Sequence, residues 1–248
     1  MPISTCGARR PQPTITDVPV SDTPAVSLVC CDLASIVIDG SVVERAFAEA
    51  IATQGIVAGT EAYVRAMVRF DRALGRPPAD VLFDFFENDE PRAQAACLAF
   101  DRSFRAAADR FGVAAPADVA AAFGEIAGSG AKICLLSALS REACGEILDR
   151  LRRQGLADLV LHAGDAPRGF PWPDLVLTAM LRMGTGDVRE VAMVSATPSG
   201  VLTGYRSGAR VVAGVGKGSR KLAALRVAGA THVLDNLADL PDLMIGAA

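Results

Sequence analysis

From Ala25 onward the chain alternates short apolar runs with longer stretches of helical period. The runs lie at 26–31 (VSLVCC), 133–136 (ICLL), 159–162 (LVLH), 191–194 (VAMV) and 211–215 (VVAGV), with a last short one at 232–234. Apolar runs without polar alternation suit strands covered on both faces, as in a parallel sheet. Helical stretches separate them. Ser140 caps a predicted helix over 141–153, and Thr197-Pro198 sets a capping hydroxyl before a proline at a first helical position. Strand and helix alternating through the second half predict an α/β fold with a Rossmann-like, doubly wound parallel sheet.

The stretch between the first two runs differs. Apolar and aromatic residues recur there at three and four spacing (Tyr63, Met67, Phe70, Leu74; Val81, Phe85; Cys97, Phe100, Phe104) with no strand-like run, which predicts an inserted helical bundle of about four helices. The expected organisation is a tail at 1–24, an α/β core at 25–45 and 113–248, and an all-helical cap at 46–112. The phenylalanines concentrate in and beside the cap, where a small bundle needs large side chains for a core; an aromatic lid over a pocket is the functional alternative.

Composition narrows the function classes. The 248 residues are 51% hydrophobic and 21% charged with a net charge of −3, which gives no basic field for nucleic acid or an anionic membrane. The first two dozen residues lack the apolar core of a secretory signal, and no apolar run is long enough to span a bilayer. Six cysteines without a CxxC pair, and two histidines, give neither a zinc site nor a disulfide framework. Free thiols in a cytoplasmic protein are the expectation. The partner class is a small molecule, and a homodimer through the cap is the candidate assembly.

Ligands of open α/β sheets bind beyond the carboxyl ends of the strands, so the residues after each run are the candidates. They read Asp32 to Asp39 (DLASIVID), Leu135 to Glu142 (LLSALSRE), Gly169 to Asp174 (GFPWPD) and Val194 to Gly208 (VSATPSGVLTGYRSG). Together they resemble the haloacid dehalogenase-like superfamily, in its phosphonoacetaldehyde hydrolase-like branch, whose patterns run DMAGTTVD, LTTGFSRE, GRPxPD and VGDTPxDLxAGxxAG. The ending at 229–241, GATHVLDNLADLP, is also similar to the branch. The resemblance implies a hydrolase fold with Asp32 at the nucleophile position, Ala34 two places on, and Ser137 as the phosphate-binding hydroxyl. Ser35, Ala138, Phe170, Ser195 and Ala196 then fall around the same pocket.

Departures from the pattern are concentrated in the charged positions. The third-motif cation is replaced by Phe170, the magnesium-holding aspartate of the fourth motif by Ala196, and the acid four places later by Gly200. Magnesium takes one or two protein carboxylates plus substrate phosphate, so magnesium binding is expected to be weak or absent and no other cofactor is implied. Losing one preorganised charge-stabilising group costs about 3–4 kcal/mol, and two such losses about 10⁴- to 10⁶-fold in rate if independent, which groups acting as a unit are not. The branch's Schiff-base chemistry needs a cap lysine, yet the three lysines (Lys132, Lys217, Lys221) all lie outside the cap and 67–72 offers arginine.

Three functions fit. The leading one is a metal-independent small-molecule enzyme using Asp32 as acid and base, with Asp39, His162 or Arg168 in support. A non-catalytic ligand- or partner-binding pseudoenzyme is the second, and a residual phosphatase with Asp32 as nucleophile the third. His162 and His232 otherwise read as packed side chains at strand ends, Cys30 and Cys31 as neighbours facing opposite sides of one strand, and GVGKG at 214–218 as a strand-to-helix turn.

Overall fold

A computed structural model describes residues 25–36, 40–111 and 114–246. Strand β1 (Leu28–Asp32) is followed by α1 (Gly40–Ala52), α2 (Glu61–Arg72), α3 (Pro78–Phe85), α4 (Glu90–Phe111) and α5 (Ala117–Gly128). The rest alternates strictly: β2 (Lys132–Leu136), α6 (Arg141–Arg153), β3 (Leu159–Leu161), α7 (Asp174–Met183), β4 (Val191–Ser195), α8 (Pro198–Ser207), β5 (Val211–Val215), α9 (Ser219–Val227), β6 (His232–Leu234) and α10 (Leu240–Gly246). The strands form one sheet of order β3-β2-β1-β4-β5-β6. Every ladder is parallel. This is the doubly wound order, in which β1 and β4 border the crevice where the winding reverses. The six apolar runs are the six strands.

The central strands are apolar through their middles because both faces are covered, while the edge strand β6 stays partly exposed. Val29, Cys31, Leu135 and Val194 join a core that contains Phe123 of α5, Leu148 of α6 and Leu240 of α10. Leu28, Cys30, Leu136 and Met193 belong to a second core with Leu175 of α7, Val201 of α8 and Leu225 of α9. Cys30 and Cys31 thus face opposite sides, as the two-residue period of a strand requires. Both are free, as are the buried Cys134 and Cys144 and the half-buried Cys97.

Helices α1 to α4 carry the aromatic residues between β1 and α5. Phe47 of α1 stacks on Phe70 of α2 with ring centroids 4.6 Å apart. These rings, with Phe100 and Phe104 of α4, continue into the same apolar core as Leu135 and Val194. Polar contacts also join α4 to the loop and helix after β2. The Ser140 hydroxyl donates to Asp101 Oδ1 at 2.9 Å, and Arg105 Nε donates to the Glu142 carbonyl at 3.0 Å. Among the described residues, no helix is long and apolar enough to cross a membrane.

Candidate active site

Asp32 ends β1 at the centre of the sheet and is 3% exposed. Its Oδ1 accepts from the Ala34 amide at 3.2 Å, which fixes the short 3-10 turn that leaves the strand. Its Oδ2 accepts from the Ser195 hydroxyl at 2.7 Å and the Thr197 hydroxyl at 3.3 Å. Burial pushes the Asp32 carboxyl above its ordinary value, and the bonds from Ser195, Ala34 and Thr197 act against that rise.

Ser195 is held from its other side too, because its Oγ accepts from the Thr197 amide at 3.0 Å. Thr197 is the N-cap of α8, with its hydroxyl accepting from the Gly200 amide at 3.2 Å and Pro198 at the first helical position. Gly200 has a steric reason. A Cβ there would overlap Ser195 Oγ and sit 2.7 Å from Ser195 Cβ and 3.1 Å from Asp32 Oδ2. The serine side chain and the missing side chain at 200 share one volume, so positions 195 and 200 are sterically coupled.

On the other flank of β1, the register pairs Asp32 with Leu136 and so sets Ser137 one residue beyond it. The Ser137 hydroxyl accepts from the Leu139 amide at 3.0 Å and from the Cys144 thiol at 3.3 Å. Cys144 Sγ is also 3.6 Å from His162 Nδ1. Burial pushes the Cys144 thiol up to about 12 and pulls the His162 imidazole down, leaving both neutral near pH 7. His162 Nε2 is buried without a hydrogen-bond partner.

Asp32 and Ser137 open into one small cavity of about 80 Å³, lined also by Ala34, Ala138, Thr197 and the apolar Val43, Phe70 and Leu74. The turn between α2 and α3 forms its roof. At Gly75 the backbone has φ +88°, and a Cβ would overlap Thr197 Oγ1 and lie 2.6 Å from Thr197 Cβ. The roof therefore rests directly on the loop that holds Asp32. Arg76 also lines this cavity, with its guanidinium bonded to Asp84 at 3.0 Å.

A second, larger cavity of about 430 Å³ lies beside it and shares Pro78 and Ala138 with the first. Arg168 lines this larger cavity. Its guanidinium is held by Asp174 at 3.0 and 2.8 Å and lies over the Trp172 ring at 4.5 Å.

The sequence-derived residues therefore separate into groups. Asp32, Ala34, Ser137 and Ala138 line the small cavity, and Ser195 is bonded to Asp32 beneath it. Phe170 is fully buried among Leu161, Leu175 and Val176 and lines neither cavity. His162 and Ala196 also lie outside both linings, as does Ser35, whose hydroxyl is buried without a partner. Asp39 lies outside the described residues. Sequence reading took Thr197 only as a helix cap and did not single out Gly75, Arg76, Cys144, Asp80 or Asp101. A glycine two residues before the Pro77-Pro78 pair was the available signal for the roof turn.

Among the described residues no three His, Cys, Asp or Glu side chains gather closely enough to hold a metal ion. No family model matches the chain, and no curated protein matches it. Solved structures do. A phosphonoacetaldehyde hydrolase-like protein from Oleispira antarctica superposes with a TM-score of 0.75 at 19% identity, covering 94% of this chain and 96% of that one. A hydrolase from Pseudomonas syringae gives 0.72 at 17% identity, over 90% and 99%. A predicted phosphatase from Clostridium acetobutylicum gives 0.71 at 15% identity, over 90% and 100%. The fold is that of the haloacid dehalogenase-like hydrolases.

Proposed function

We propose that this chain is a metal-independent small-molecule enzyme in which Asp32 is the general acid and base. The observation that carries the reading is the immediate surrounding of Asp32: a buried carboxylate tied to two neutral hydroxyls and one amide, with no cation bonded to it among the described residues. Magnesium does not fit this donor set. Among the described residues Asp32 is the only carboxylate lining the small cavity, position 196 is alanine, and the volume beside position 200 is taken by Ser195. Neither Phe170 nor Arg168 places a positive charge in that cavity, and Arg76 in its lining is engaged by Asp84.

What remains suits proton transfer. A carboxyl whose pKa is raised by burial holds a proton nearer neutral pH than an ordinary aspartate and can return it to a substrate atom within reach. Ser195 and Thr197 fix the rotamer and direct Oδ2, while the cavity limits the reacting part of the substrate to a few heavy atoms. The Ser137 oxygen accepts from the Leu139 amide, and its hydroxyl hydrogen can donate to a substrate oxygen.

A second reading, residual phosphatase activity, is supported by the survival of Asp32 and Ser137 on adjacent strand ends in one cavity. The test is turnover across phosphate esters, phosphonates, haloacids and non-phosphorylated acids and carbonyl compounds, with magnesium or chelator, in wild type and Asp32→Asn. Turnover that survives chelator and vanishes in Asp32→Asn is expected. Magnesium-dependent turnover lost in that variant overturns the acid–base reading in favour of the phosphatase, and a biological role retained by Asp32→Asn overturns both in favour of a binding protein.

A further inference from the structure

Behind Ser137 lies a chain of buried polar side chains that proton transfer at Asp32 does not use. Cys144 in the opening turn of α6 and His162 directly after β3 are 0% and 1% exposed and lie outside the linings of both cavities. The Cys144 sulfur is 3.3 Å from Ser137 Oγ, 3.3 Å from the Ser140 carbonyl and 3.6 Å from His162 Nδ1. Its thiol has a single hydrogen for these neighbours, and the neighbour that takes it decides what Ser137 presents to the small cavity.

His162 supplies the asymmetry. Its Nε2 is buried without a hydrogen-bond partner among the described residues. The turn it begins is closed by backbone and carboxylate instead: the Asp165 amide bonds the His162 carbonyl at 2.9 Å, and the His162 amide bonds Asp165 Oδ2 at 2.8 Å. A neutral imidazole carries its proton on one nitrogen. On Nε2 the proton would leave a buried N–H unpaired, which protein interiors tolerate less well than an unpaired acceptor; on Nδ1 it faces the Cys144 sulfur. The Ser140 carbonyl already accepts the Cys144 amide at 3.2 Å, which leaves Ser137 Oγ as the better place for the thiol hydrogen.

We propose that His162 is a positioning residue for Ser137, acting through Cys144: Nδ1–H donates to the sulfur, the thiol donates to Ser137 Oγ, and the Ser137 hydrogen is turned into the small cavity. Each bond supports the next. A thiol that accepts from Nδ1–H is the stronger donor, because hydrogen bonds in a chain polarise one another in a low-dielectric interior. Ser137 Oγ then accepts from the thiol as well as from the Leu139 amide at 3.0 Å, which leaves its own hydrogen for a third direction. Ser137 is thereby fixed as a donor, and the substrate group beside it is an acceptor, a carbonyl, carboxylate or ether oxygen rather than an ammonium. The inference deepens, and rests on, the reading in which Ser137 donates to a substrate oxygen.

The chain can be read without a substrate. Nitrogen-15 NMR of the imidazoles at pH 7 gives the tautomer, with His232→Gln to assign the other histidine. The infrared S–H stretch of Cys144, isolated as the difference between a protein and its Cys144→Ala counterpart, gives the strength of the thiol's bond. His162 is expected in the Nδ1–H form. The S–H band should move to higher frequency in Ser137→Ala and in His162→Leu, and stay at its wild-type place in His162→Asn, which keeps an N–H at the position of Nδ1. The Nε2–H form, an unmoved band in Ser137→Ala, or equal bands in His162→Leu and His162→Asn overturns the proposal. Should the variants fail to fold, the wild-type tautomer decides alone. Neither readout involves turnover, so a broken chain leaves the Asp32 reading standing, and failure of that reading in the turnover panel leaves the chain standing.

Discussion

The turns after β2 and β4 flank the same strand, and each carries a hydroxyl at the strand end followed by a hydroxyl helix cap: Ser137 with Ser140, and Ser195 with Thr197. Their caps serve the same local purpose, accepting from Ala143 and Gly200 amides respectively. Beyond that they part. Ser195 and Thr197 both turn inward to Asp32, whereas Ser137 turns to Cys144 and Ser140 outward to Asp101 on α4. Glycine at 200 makes the difference on the β4 side, because it alone leaves room for a serine side chain against the carboxylate. Equal local sequence chemistry thus yields one turn that holds the Asp32 carboxyl and one that ties the insert to the sheet.

The largest effect is expected from Asp32 itself. Asp32→Asn should lower turnover by about 10²- to 10⁴-fold, the usual contribution of a positioned acid or base. Its stability should move the other way. The folded carboxyl has a raised pKa, so its protonated form favours the fold; that contribution is full below the ordinary aspartate value and is lost as pH rises through the folded value. An asparagine never ionises. Thermal melts should therefore show Asp32→Asn more stable than wild type at pH 7 and the two converging in acid; a less stable variant at pH 7 would show that the carboxylate is well solvated.

The coupling of Ser195 with Gly200 comes next. Gly200→Ala should cost about 1–3 kcal/mol by overpacking against Ser195, and Ser195→Gly should recover most of it in the double variant. Additive losses in denaturant titrations would mean that the two positions do not share a volume. Gly75→Ala tests the roof in the same way. With φ at +88° and Thr197 directly opposite, a loss of about 1–3 kcal/mol is expected, together with faster hydrogen exchange in the 73–77 turn.

The smallest effects distinguish the caps. Thr197→Val and Ser140→Ala should each cost about 1 kcal/mol as lost N-caps. Only Thr197→Val should also shift the pH dependence of turnover upward, since it removes a donor that holds the Asp32 carboxyl down. An equal shift from Ser140→Ala would refute the division between the two turns.

Much of this architecture was legible in the sequence. Strands covered on both faces leave uninterrupted apolar runs, and caps such as Ser140 and Thr197 declare themselves by residue type, because both signals arise from neighbours along the chain. The strand-end rule likewise brought Asp32, Ser137 and Ser195 to one region. Phe170 followed its motif position in sequence, yet its side chain packs into the apolar layer under α7, since a phenyl ring gains more there than beside a carboxylate. The sequence by itself determined the alternation of elements, the sheet and the residue at the end of each strand. Only the tertiary structure decided that Ser195 takes the volume freed at Gly200, that Gly75 seats the insert on Thr197, and that Asp80 and Asp101 face one chamber, because each depends on distances between segments far apart in the chain.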